Sequence, residues 1–338
     1  MTLHTQKLKV DYLKTIGMTS NNPTGRGFAN PVDLAINDEN TIIVLNRGAY
    51  VFSRITLCDL SENYLGEIGS HGDSDGQFRL PTSIDIDSNQ NIYITDEYLN
   101  RVTVFDKSGS FLSKWGKAGT KPGQISGPSG LAINSDDDLY IVDQGNHRIQ
   151  KFSKDGVLIK TFGEKGKDND QLNQPWGISL DKDQNIFVAD WRNDRIQKFS
   201  PEGNPIMRFG ISGHKEGELN RPADVTITKD GYIIVADWGN ERVQIFDSKG
   251  NFEVLLQGEA TVSKWAEDYF AANPDEVTER NKSNLNPNLP DHLKSPYHSA
   301  SQTEPYFWGP TSVNLDSQGN LYITESARHR FQVYSLKQ

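Results

Sequence analysis

Only one cysteine, Cys58, stands in the 338 residues, so no intrachain disulfide can form. A reducing compartment, the cytoplasm, is the expected location. Long apolar runs are missing too. The longest are four or five residues, too short to cross a bilayer, and Met1–Gly17 has no apolar core of signal-peptide length. No membrane partner is expected. Basic residues are the minority, 35 against 45 acidic ones, for a net charge of −10. Such a surface repels a phosphate backbone, and no basic run offsets it, so no nucleic-acid partner is expected either. The seven histidines are scattered without metal-ligand spacing, His292 and His298 being the nearest pair. The chain also lacks a glycine-rich phosphate loop and a nucleophile elbow.

What the chain does have is a repeat. Pro81, Pro128, Pro175 and Pro222 stand 47 residues apart, and so do Asp96, Asp143, Asp190 and Asp237. Two independent markers with one period make chance a poor explanation. Pro31 and Pro310 extend the first series, and Asn46 and Glu325 take the acidic place in the outer repeats. Each repeat reads as four short strands. In the third they run near 130–133, 139–142, 149–152 and 157–162, with alternating β-branched and aromatic residues. Turn residues separate them, such as Lys154-Asp155-Gly156. A four-stranded unit of about 45 residues is a propeller blade. The fold class is therefore all-β, a six-bladed β-propeller forming one domain over residues 1–338.

The ends explain how the ring closes. The last repeat stops after its third strand, near Phe331–Tyr334. Asp11–Gly17 has the pattern of the fourth strands elsewhere. The N-terminal strand is thus expected to complete the last blade.

Gly145-Asn146-His147-Arg148-Ile149-Gln150-Lys151-Phe152 resembles the NHL repeat, and Arg195, Arg242 and Arg330 fall in equivalent places. The resemblance covers nearly the whole chain outside one insertion. NHL propellers include RNA-binding, protein-interaction and sensor domains, and a zinc-dependent peptidyl-hydroxyglycine lyase. Compared with the lyase, Asn46-Arg47-Gly48 matches an Arg-Gly at the end of a second strand, so the family's pocket arginine maps to Arg47. The zinc histidines map to Thr82, Trp176 and Thr311, none of which replaces an imidazole ligand, and a further family arginine maps to Trp191. The resemblance therefore implies that zinc is not bound.

In a propeller, residues after each blade-opening proline and residues after each second strand meet at one mouth of the channel. This brings Asp33, Ser83, Ser129, Trp176, Asp224 and Thr311 together with Arg47, Tyr98, Trp191, Trp238 and Glu325. The candidate ligand-binding set is Arg47, Tyr98, Trp176, Trp191, Asp224 and Trp238. A few polar groups among aromatic walls suit a small ligand. Arg47 is also the one candidate catalytic residue, should the protein be a metal-independent lyase or hydrolase. Blander readings stand beside these. The recurring aspartates suit turns, since Asp bonds its own backbone two residues on. The recurring arginines, His147 and His329 suit cross-links between blades. Trp191 and Trp238 suit either a packed rim or a ligand wall. Asp33 and Asp224 suit either solvated carboxylates or, with backbone carbonyls, a channel Ca²⁺.

From Pro222 to Pro310 the interval is 88 residues, 41 more than the repeat. The excess is an insertion at about 259–308. Val262, Trp265, Ala266, Tyr269 and Phe270 form one helical stripe, and Asn273-Pro274-Asp275-Glu276 starts a second helix. The insertion is expected either as a lid, its stripe on Trp238 and Trp191 and Arg47 shielded beneath, or as a clip on one blade's rim. Two functions are carried forward: a propeller binding a small molecule at the channel mouth, and a protein-interaction scaffold without catalytic activity.

Overall fold

A computed structural model describes residues 8–20, 22–48 and 51–337. Six four-stranded antiparallel sheets form six blades, and their first strands pack in succession around a central channel. Blade 1 opens at Pro31–Ile36, blade 2 at Pro81–Ile86, blade 3 at Pro128–Ile133, blade 4 at Ile178–Leu180, blade 5 at Asp224–Ile227 and blade 6 at Pro310–Leu315. Blade 6 takes its fourth strand from the N-terminus. Lys9–Ile16 pairs antiparallel with Arg330–Lys337, from Lys9 opposite Lys337 to Ile16 opposite Phe331, with one irregularity between Tyr12 and Lys14.

The apolar residues make six separate clusters, each lying between two neighbouring blades. That placement follows from the strand pattern. The second strand of each blade has sheet neighbours on both sides and another blade against each face, so every residue of Leu139–Asp143, Ile186–Asp190 and Ile233–Asp237 is buried. Continuous Val/Ile/Leu runs suit strands covered on both faces. Fourth strands face water and alternate loosely, as in Leu158–Phe162.

Three of the four recurring aspartates, Asp143, Asp190 and Asp237, are not the turn formers expected of them. Asp143 accepts from Ser126 N, Asn146 Nδ2, Arg148 Nε and Gln150 Nε2, and Asp190 and Asp237 repeat the set with Asn, Arg and Gln at the same offsets. Only Asp96 bonds its local backbone, at Tyr98 N and Leu99 N. The turn chemistry belongs to another series. Asp87, Asp181 and Asp316 each accept from N–H groups two and four residues on, folding the first hairpin of their blades. The arginines do join blades. Arg148 donates to Thr120, Lys121 and Gln124 carbonyls in the loop arriving from blade 2. His147 and His329 accept from Gln174 N and Asn30 N of the following blade's entry loop.

Candidate functional site

Each blade sends two loop positions to the mouth of the channel. The first follows the opening proline: Val32, Thr82, Ser129, Trp176, Ala223 and Thr311. The second follows the acidic end of the second strand: Arg47, Glu97, Gln144, Trp191, Trp238 and Ser326. All of the first ring, with Arg47, Asp33, Ser83 and Asp224, lines one narrow opening. Thr82, Trp176 and Thr311, the positions matched to zinc histidines, do converge there. Among the described residues no group of three or more His, Cys, Asp or Glu is arranged to hold a metal ion.

The opening is tight because backbones crowd it. A Cβ on Gly177 would lie 2.2 Å from Asp224 Oδ1 and 2.7 Å from Ala223 O, so only glycine fits between blades 4 and 5 there. Hydroxyls at the mouth are already engaged across blades. Thr82 Oγ1 donates to Pro128 O, and Ser129 Oγ to Trp176 O. The opening has a volume of about 40 Å³, room for one functional group rather than a whole metabolite.

The mouth has two unlike sides. On the side of blades 1 and 2, Arg47 Nη2 is paired with Glu97 Oε2 at 2.5 Å, both side chains part-exposed. On the opposite side, blades 4 and 5 carry three indoles in a row. Trp176 and Trp191 have ring centroids 6.2 Å apart, and Trp191 and Trp238 6.5 Å. Arg192 and Arg221 both lie over Trp191, at 5.1 and 5.2 Å, within cation–π range.

Tyr98 does not join this group. The 47-residue register places Glu97, not Tyr98, in step with Trp191 and Trp238, and Tyr98 stands one residue outward. It is 59% exposed, with Arg79 over its ring. Counting from Asp96 in register would have found Glu97. Arg192 and Arg221 carry no signal in the repeat that ties them to Trp191.

Below the mouth the channel widens to a cavity of about 290 Å³ walled by the first strands. Three carboxylates face it, and each ties its blade to the next. Asp33 accepts from Ile84 N, Asp85 from Ile133 N and Asp224 from Val313 N. Burial pushes the Asp85 carboxyl up to about 7. Burial also raises Asp33, and raises Asp224 further with help from the Asp33 charge. Asp33 accepts from Ser83 Oγ, Leu34 N and Asn314 Nδ2 as well. Four bonds are about all that a carboxylate takes, so Ca²⁺ at Asp33 would have to displace one of these donors.

The helix that carries the apolar stripe does not rest on Trp238 as the lid reading requires; the part of the insertion that packs beside Trp238–Asn240 is the later segment Pro296–Gln302. The striped helix, α1 (Lys264–Ala272), lies on the outer rim. Trp265 is fully buried in the cluster between blades 6 and 1, against Phe28, and its Nε1 donates to Glu62 O. Ser263 caps the helix and donates to Gly17 O of the closing strand. Arg47 therefore gets its partial shielding from Glu97 and not from this helix. The second helix, α2 (Pro274–Lys282), starts after Asn273 as expected, although the Asn273 side chain donates to Tyr269 O instead of capping. A third helix, α3 (Pro296–Gln302), adds to the two expected. Ser295-Pro296, a capping serine before a first-turn proline, is the signal for it.

Residues 126–152, 172–199 and 219–246 match the family model of the NHL repeat. The chain thus carries NHL repeats in a six-bladed propeller. No curated protein matches the sequence. Among solved structures, a catalytically inactive His-to-Ala variant of virginiamycin B lyase from Staphylococcus aureus, with quinupristin, is similar at 13% identity and TM-score 0.55, over 98% of this chain and 100% of that one. A protein of unknown function from Bacteroides thetaiotaomicron aligns at 15% and 0.65, over 98% and 76%. An auxiliary nutrient binding protein from Bacteroides ovatus aligns at 11% and 0.62, over 98% and 78%. At these identities the likeness is one of fold. No helix of the described residues is long and apolar enough to cross a membrane.

Proposed function

We propose that this six-bladed propeller with NHL repeats binds a small molecule across the channel mouth. One observation carries the reading: a guanidinium stands on one side of the mouth and a row of three indoles on the other. A polar or anionic group of the ligand enters the narrow opening and meets Arg47. The apolar body lies outside, over Trp176, Trp191 and Trp238. Arg47 spends only Nη2 on Glu97, and a guanidinium has five N–H donors, so donors remain for a carbonyl or carboxylate. The lyase crystallised with quinupristin is a precedent for a ligand on this fold. That enzyme is inactivated by loss of a histidine, whereas among the described residues no histidine lines the opening here. Binding is therefore the reading put forward, and a metal-independent lyase or hydrolase activity is a second question for the same ligand. The scaffold alternative draws on one feature, the rim position of α1, which leaves the mouth open to a larger partner.

The test is a thermal-shift screen with organic acids and amides that carry an aromatic or aliphatic body, followed by calorimetry. Arg47→Ala is expected to weaken a hit at least tenfold, and Trp191→Ala likewise. Stability should change little in Arg47→Ala, because a part-exposed ion pair contributes about 0–1 kcal/mol. A hit bound equally well by both variants overturns the proposal, as does a screen in which only protein partners bind this face.

A further inference from the structure

Between the insertion and the outer edge of blade 6 lies a separate open cavity, about 560 Å³ in volume. It shares no lining residue with the channel mouth. The size falls within the roughly 300–1,000 Å³ of small-molecule sites. Tyr269 and Phe270 of α1 form an aromatic edge, their rings 6.0 Å apart and T-shaped. Arg280, Arg328 and Arg330 line the same cavity, Arg280 lying over the Phe270 ring at 5.5 Å.

The charges there do not balance. Arg330 is paired with Glu325 at 2.8 Å, and Arg280 with Glu304 at 2.5 Å. Arg328 makes no ion pair among the described residues. Its Nη2 donates to the carbonyls of Ala300, Ser301 and Thr303, and its Nε is buried without a hydrogen-bond partner. Its guanidinium lies 5.3 Å from the Trp308 ring. Three cations against two carboxylates leave one positive charge uncompensated, in a chain whose net charge is −10. Burial lowers the pKa of Arg328 and the neighbouring Arg330 lowers it further, while Glu325 and Glu304 offset part of this. Both lowering effects penalise a cation without a counter-ion, and an unpaired charge out of bulk water is costly. An anion in the cavity relieves that cost through a charge-assisted contact.

We propose that this rim cavity binds a small organic anion with an aromatic body, the anionic group on Arg328 and the body against Tyr269 and Phe270. The stripe of α1 then has two roles. Trp265 anchors the helix in the propeller core, and the residues beside it wall a ligand site.

The test uses the full chain and 8-anilinonaphthalene-1-sulfonate, titrated by fluorescence. Saturable binding that Arg47→Ala leaves unchanged is expected, displaced by 3-phenylpropanoate and not by inorganic phosphate. Arg328→Gln keeps an amide donor for the loop carbonyls and removes the charge, and it should weaken binding at least tenfold. Ala266→Trp fills the cavity from α1 without removing any contact, and it should abolish binding with the thermal melt retained. Should Arg328→Gln loosen the insertion, Ala266→Trp alone decides. No saturable binding, displacement by phosphate, or full affinity in Ala266→Trp overturns the proposal.

Discussion

Arg148, Arg195 and Arg242 each close a loop that belongs to the preceding connection, and each does so while paired with a fully buried aspartate. The sequence made the recurrence of Asp and Arg plain, but the Asp–Asn–Arg–Gln network was legible only in part. Offsets of three, five and seven residues do not say that three side chains share one carboxylate; the strand register does, setting Asp143 opposite Arg148. The network makes a sharp contrast with Arg47. Breaking a buried pair from one side leaves an uncompensated charge, so Arg195→Met should cost about 3–5 kcal/mol in urea unfolding, far more than Arg47→Ala. Asp85 predicts a pH effect. Its folded pKa of about 7 lies above the unfolded value, so its contribution to stability is fully present below the unfolded pKa and is lost as pH rises toward 7. Across that window each pH unit removes about 1.4 kcal/mol. Asp85→Asn has no carboxyl to ionise, so its unfolding free energy should fall less than the wild type's between pH 5 and pH 7.

At the scale of elements, the strands were the most legible part and the insertion the least. Period and turn residues locate strands because each blade repeats the same local physics six times, and chance agreement fades with every copy. The insertion occurs once. Its apolar stripe implied a helix with something to cover, and it did not say what, since a helical stripe carries no address. The buried partner of Trp265 is Phe28, more than two hundred residues earlier in the chain, brought close by ring closure. Tyr98 shows the other kind of loss. One residue of misregister put Tyr98 in the place of Glu97, and the Tyr98 side chain meets Arg79 instead. Trp265→Ala should cost about 3–5 kcal/mol if the whole fold depends on it. The rim position points to a local loss instead: proteolysis should cut within residues 264–302 of the variant while the blades stay resistant. Equal resistance in variant and wild type would show that Trp265 does not hold the insertion.

For the molecule as a whole, the decisive contact is the one between the two ends. Blades 1 to 5 are each continuous in sequence, so their sheets form from local hairpins. Blade 6 alone needs Lys9–Ile16 to reach Arg330–Lys337. Without that strand, the row of backbone groups on Arg330–Lys337 becomes an open edge, a template for pairing with another chain. The loss is also apolar. Ile16 is fully buried between blades 6 and 1 with Phe28, Phe331 and Trp265, and Tyr12 packs edge-on against Tyr334 at 5.6 Å. Removing residues 1–17 therefore exposes two adjoining clusters and one strand edge at once. The melting temperature should drop by an amount on the order of 10 °C or more, since each kcal/mol is worth about 2–4 °C in a chain of this size class. The truncated protein should self-associate in sedimentation experiments. A peptide spanning residues 8–17 supplies the missing strand by edge addition, so it should restore both the melt and the monomer when added in excess. A variant peptide with Ile16→Asp carries a charge into the same cluster and should fail. Rescue by both peptides would mean that any strand closes the edge and that the apolar register is not what seals the ring. An unchanged melt on truncation would mean that the end-to-end pairing does not stabilise the propeller.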